Sequence, residues 1–194
     1  MDGRDPTYRE LLCGKGAHAD PVASLADVSA QAAGRLVAGY PHSIWQIVGH
    51  MNYWMEYELR RISGARPAHP EHAIQSWPAT VVPASADDWS RKRSRFAALL
   101  GKFEELSASE PSARNAPLEA ITATEPSQAS TVQAVLWQTL VHNSYHMGQI
   151  ALLLRCFGLW PPHSGGIRGE TGGDDLGSLP VFRHATCVGL NPPM

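Results

Sequence analysis

From about Ser130 to Phe157 this chain places Val132, Val135, Leu136, Thr139, Leu140, Met147, Ile150, Leu153 and Leu154 at steps of three and four. Such spacing follows the period of an α-helix for roughly seven turns, until Gly158 and Pro161 break it. A strand cannot use it, because strand side chains alternate between faces at every residue. A helix this long and this apolar needs other helices to cover it.

Three more segments can supply that cover, and almost nothing reads as a strand. The first is expected over about Asp20 to Leu36, after a short turn near Tyr8 to Leu12, with Asp20 capping and Pro21 in an early helical position. The second is expected from Ser43 to Ile62, where Ile44, Ile47, Val48, Met51, Met55, Leu59 and Ile62 form the stripe and Gly64 and Pro67 end it. The third starts at Ser85 or Ala86, carries Asp87 and Asp88 where the helix dipole favours them, and shows Trp89, Phe96, Leu99, Leu100, Phe103 and Leu106 on one face. The first link is short, which makes its helices antiparallel neighbours. The link from Ser63 to Ala84 is long and holds Pro67, Pro70, Pro78 and Pro83. A connection of that length can travel the whole height of a bundle and leave the second and third helices parallel. After Pro161 the sequence turns Gly-rich and loses its period, so residues 1–165 are read as the helical domain and 166–194 as an irregular tail.

Composition excludes several classes. With 43% hydrophobic and 18% charged residues in 194, the chain can bury a core. A formal net charge of −2 gives no bulk attraction to DNA or an anionic membrane, and the one basic run, Arg91 to Arg95, reads as a solvated helix face. No apolar run approaches a membrane span and the N-terminus lacks a signal-like apolar stretch, so the expected location is the cytoplasm. Cys13, Cys156 and Cys187 form no CxxC pair, and Cys156, within ALLLRCFGLW, is expected to be a buried free thiol.

The chemistry lies in the histidines, nine in all. His142 and His146 lie four apart on the long helix, so both rings stand on one face. They interrupt the apolar stripe instead of decorating a wet side, and a buried imidazole must be satisfied by a hydrogen-bond partner or by a metal ion. His50, in the middle of the second helix, is the third candidate ligand. Three neutral imidazoles suit Zn²⁺, Ni²⁺, Cu²⁺ or Fe²⁺ and leave positions open for water or substrate. Trp54 and Gln149, each one turn beyond a histidine, are candidates to line a pocket, or else serve only packing and surface hydrogen bonding. Glu58 lies two turns from His50, and no Asp or Glu falls on the stripe beside the histidines. The chain has neither HExxH nor ExxH, no nucleotide-binding glycine loop and no GxSxG elbow. His42 is placed at the start of the second helix, His69 and His72 in the crossover, and His163 after the WPP turn, where it could hang over one end of the bundle.

The segments HSIWQIVGHMNYW and HNSYHMGQIALLLR, the ending LLRCFGLWPPHSGG, and the stretches GKGAHADPVASL and DDWSRKRSRFAALL together resemble the DinB/YfiT-like superfamily over roughly residues 10 to 165. The resemblance implies an all-α four-helix bundle in up-down-down-up order, with the long crossover between helices two and three. It implies one divalent metal ion (Zn, Ni or Fe) held by His50, His142 and His146, and a homodimer. It further implies a metal-dependent enzyme acting on a small molecule, of the thiol-dependent transferase or hydrolase type, with a low-molecular-weight thiol as partner. The alternative reading is a non-catalytic metal-stabilised structural or stress-related binding protein. Neither nucleic acid nor membrane is an expected partner. The Gly-rich tail departs from the pattern of that family.

Overall fold

The computed structural model describes residues 6–14, 18–118 and 131–162. These residues are helical, with no strand among them; an isolated antiparallel bridge joins Pro117 to Thr131. In chain order the helices are α1 (Pro6–Cys13), α2 (Pro21–Ala26), α3 (Ala30–Ala33), α4 (Ile44–Ile62), α5 (Ala86–Ser107), α6 (Pro111–Arg114) and α7 (Val132–Phe157). The tail assigned to 166–194 and His163 lie outside the described residues.

The three long helices begin where the sequence places their caps. Ser43 accepts the Gln46 N–H while the Gln46 side chain returns to the Ser43 N–H, a reciprocal cap. Ser85 and Thr131 accept from Asp88 and Ala134 in the same way, and α7 stops at Gly158, whose φ of 71° is the left-handed conformation that glycine adopts without a Cβ penalty. α4, α5 and α7 pack on one another, α1 packs on α5 and α7, and α2 and α3 lie against α5. Ile47, Met51, Met55, Trp89, Phe96, Phe103, Leu136, Ile150 and Leu153 are almost wholly buried between them. No helix among the described residues is long and apolar enough to cross a membrane.

The helix expected over 20–36 is instead two short ones. Asp20 caps the first through the Val22 and Ala23 N–H groups, as its sequence suggests. The break comes from tertiary competition for the backbone. Arg93 of α5 takes the Leu25 and Ala26 carbonyls, Trp89 takes the Val28 carbonyl at 2.5 Å, and Ser29 caps a new start by accepting from Ala32. The link after Glu110 likewise contains a helix, α6, tied back by buried Arg114, which donates to the Ser107 and Ser109 carbonyls. Cys156 corrects another expectation, being exposed and not buried. Its apolar neighbours were no guide, because α7 is apolar on nearly every side.

The long crossover is laid along α4. His69 sits beside Trp54 and Tyr57 in the C-terminal half of that helix. Further on, Gln46 Nε2 donates to the Pro78 carbonyl at 3.2 Å, Trp45 Nε1 to Thr80 Oγ1 at 3.2 Å, and Ser43 Oγ to the Val81 carbonyl at 2.6 Å. The chain thus returns to the start of α4 before α5 begins. Asn52 then meets the Lys92 carbonyl and Glu56 meets Arg95, both numbers rising together, so α4 and α5 run parallel.

Candidate metal centre

His50 lies at the middle of α4, and His142 and His146 lie one turn apart on the face of α7 that packs against it. His50 and His146 are only 7% and 5% exposed, and His142 is half-buried. The three ring nitrogens converge within 4.8 Å of one another, and histidines alone make up this group. His142 Nε2 stands 3.2 Å from His50 Nε2 and 3.1 Å from His146 Nε2. Ligand nitrogens at about 2.0–2.1 Å from a tetrahedral zinc lie roughly 3.3 Å apart, and these two separations match that distance.

The far sides of the rings fix where the lone pairs point. Ser76 Oγ has one proton, and it is given to the Ala73 carbonyl at 2.7 Å. The 3.0 Å contact between Ser76 Oγ and His50 Nδ1 therefore has the imidazole as donor, which leaves the His50 Nε2 lone pair bare. His146 Nδ1 donates to Gln149 Oε1 at 2.7 Å, with the same result at its Nε2. Both lone pairs face His142 Nε2. A single Nε2–H on that ring cannot satisfy both with good geometry, whereas a cation at the centre satisfies all three.

The rings are also held neutral. Burial lowers the pKa of His50 to about 3, helped by the charges that His142 and His146 would carry. Burial and then His146 lower His142 to about 4, and burial lowers His146. Neutral imidazole is the form that ligates metal.

His50, His142 and His146 come together. Trp54 meets His50 edge-on, with centroids 6.4 Å apart, and also packs on Tyr57. Gln149 orients His146 directly. Glu58 is turned away, paired with Arg61 at 2.7 Å. Asn143 is buried against the Met55 sulfur, and the exposed Tyr145 ring stands edge-on to His146 at 5.1 Å.

Two residues, Ser76 and Trp77, escaped sequence reasoning, as did the stacking role of His42. Ser76 ends the short 3-10 turn Ala73–Ser76 within the crossover and supplies the His50 acceptor. Trp77 follows it and stacks on the His50 ring at 3.9 Å and 11°, while His42 stacks on Trp77 at 3.8 Å and 13°. The length of the crossover was the only sign that it would cover the site.

Fold and site together define an all-helical protein with a buried cluster of three neutral histidines, two from one helix and one from its neighbour. The chain belongs to the DinB superfamily, whose family model matches residues 17–150, a span that includes all three histidines. Comparison with curated proteins and with solved structures gave no match.

Proposed function

We propose that this protein is an up-down-down-up four-helix bundle that binds one divalent metal ion through His50, His142 and His146 and uses it on a small-molecule substrate, as a thiol-dependent transferase or a hydrolase. The observation that carries the metal reading is the pair of bare Nε2 lone pairs on His50 and His146 facing the third ring. Superfamily membership supports it. The residues fit Zn²⁺, Ni²⁺ or Fe²⁺, since the donor set is three neutral nitrogens with no carboxylate. When bound, such an ion supplies Lewis acidity and brings the pKa of a thiol or water toward neutrality.

The chain's own groups hold and orient. Ser76 and Gln149 fix two ligand tautomers, and Trp77 covers one face of His50 and limits access of water from the crossover side. No carboxylate joins the cluster among the described residues, so any proton transfer is assigned to the substrate or solvent. The bundle is taken as residues 1–165 with 166–194 a separate tail, and the cytoplasm, where low-molecular-weight thiols are abundant, as its location.

Elemental analysis of tag-free protein is the first test. About one equivalent of metal in the wild type, lost in His142→Ala, is expected, followed by metal-dependent turnover of a thiol or ester substrate. Metal content that is substoichiometric and unchanged in the variant would sink the metal reading. Full occupancy with a large stabilisation and no turnover would favour a structural ion instead.

A further inference from the structure

Among the described residues no carboxylate pairs with the Arg35 guanidinium, whereas Arg61, Arg91 and Arg95 each have one. Arg35 follows α3 and lies over the Phe157 ring at the end of α7, 4.8 Å from its centroid. Stacking of this kind uses the flat face of the group and leaves its edge, where the N–H donors point, open. The surroundings are one-sided in charge. From Val28 to Met55, and again from Val132 to Pro162, the chain has no Asp or Glu. An arginine resting on a ring is ordinary at a surface, but this one borders a cavity.

The cavity has a volume of about 630 Å³ and is lined by Ser29, Gln31, Ala32, Arg35, Phe157 and Leu159. Small-molecule sites span roughly 300–1,000 Å³. Its polar lining offers donors and no carboxylate. Ser29 Oγ accepts from the Ala32 N–H at 3.1 Å, which leaves the hydroxyl proton available to donate. The exposed Gln31 adds an amide. The apolar wall is made by Ala32, the half-buried Phe157 and Leu159, which is 40% exposed. Phe157 stands about 16 Å along α7 from His146, so the cavity is separate from the histidine cluster.

We propose that this cavity binds a small aromatic monocarboxylate, with the carboxylate on the edge of Arg35 and the ring against Phe157 and Leu159. The planar guanidinium fork matches a carboxylate through two parallel hydrogen bonds, and the Ser29 hydroxyl can supply a third. Other ligands use only part of this lining. A bare phosphate leaves the apolar wall wet. It also brings a second negative charge to the C-terminal end of α7, where the helix dipole is itself negative. A neutral aromatic molecule covers the wall but leaves the guanidinium edge to water. A flat acid with a single charge satisfies both parts at once.

A ligand-observed NMR titration of tag-free, full-length protein with 1-naphthoate tests this, in a chelator that keeps metal from the histidines. Saturable binding is expected, with a dissociation constant of about 1 mM or below. 1-Naphthalenemethanol has the ring without the charge, and inorganic phosphate has the charge without the ring. Each should bind at least about tenfold more weakly. Arg35→Gln, at an exposed position, should weaken 1-naphthoate at least about tenfold with unchanged helical circular dichroism. Arg35→Lys, which keeps the charge and loses the fork, should fall between. Arg95→Gln, which removes a cation paired with Glu56 on another face, should change nothing. The absence of saturable binding overturns the proposal. So does equal affinity for the acid and the alcohol, or an affinity that Arg35→Gln leaves unchanged. No metal takes part in the readout, so the result stands apart from the metal reading.

Discussion

Ser76 illustrates how much of a site can rest on one hydroxyl. Its proton goes to Ala73, so its oxygen accepts from His50 and turns that ring's free lone pair toward the other two histidines. An alanine there leaves His50 Nδ1 without its acceptor and lets the ring change tautomer or turn. Partners of this kind are worth about 10–100-fold in metal affinity. Ser76→Ala is therefore expected to weaken zinc binding by about that factor in a chelator-competition titration, while the metal-free melting temperature moves little. An unchanged affinity would mean that the contact is only packing. The HxxxH pair was legible because four-residue spacing on a helix guarantees a shared face. Ser76 was not: its contact spans 26 residues from a segment with no period. For Gln149 the sequence leaves a pocket position or surface hydrogen bonding open, and the structure gives it a more specific place as the His146 acceptor.

Among the elements, α4, α5 and α7 were legible to within a residue or two because period, caps and breakers agree. The helix expected over 20–36 was not, because α5 side chains take its carbonyls, and no local pattern in 20–36 records Trp89 or Arg93. The crossover is the element on which the site leans, and at Gly49 it lies close against α4. A Cβ at Gly49 would stand 2.3 Å from Pro78 Cγ and 2.7 Å from Lys92 Nζ, although the glycine is in mid-helix. Alanine there would ordinarily favour the helix by about 1 kcal/mol. Here it must push Pro78, and with it the neighbouring Ser76 and Trp77, off the helix. Gly49→Ala is expected to lower the melting temperature and to weaken metal binding together. A variant that is more stable and binds normally would show that the crossover yields without cost.

For the whole molecule, stability should depend on pH through the same three rings. In the metal-free protein His50 titrates at about 3 and His142 at about 4, against an ordinary value near 6.5 in the unfolded chain. The unfolded state therefore takes up protons first. The stability that the neutral rings permit is complete above about pH 6.5 and is lost as pH falls through that window toward the folded values. Urea midpoints of the metal-free wild type are expected to fall between pH 7 and pH 5. A double variant, His50→Gln with His142→Gln, should show a shallower fall, and equal slopes would assign the dependence to other groups.

The separation of the ligands along the chain has a topological consequence. His142 and His146 are four residues apart, but His50 is 92 residues from His142. An ion shared by all three would tie one helix to another across nearly half the polypeptide, as a reversible cross-link. Closing a loop of about 100 residues removes on the order of 4.7 kcal/mol of freedom from an unfolded chain, provided the link persists there. The local pair can still chelate after unfolding, while the distant ligand lets go. With an ion bound, the knot would loosen at His50 first, and the crossover that carries Ser76 would govern how readily it is retied.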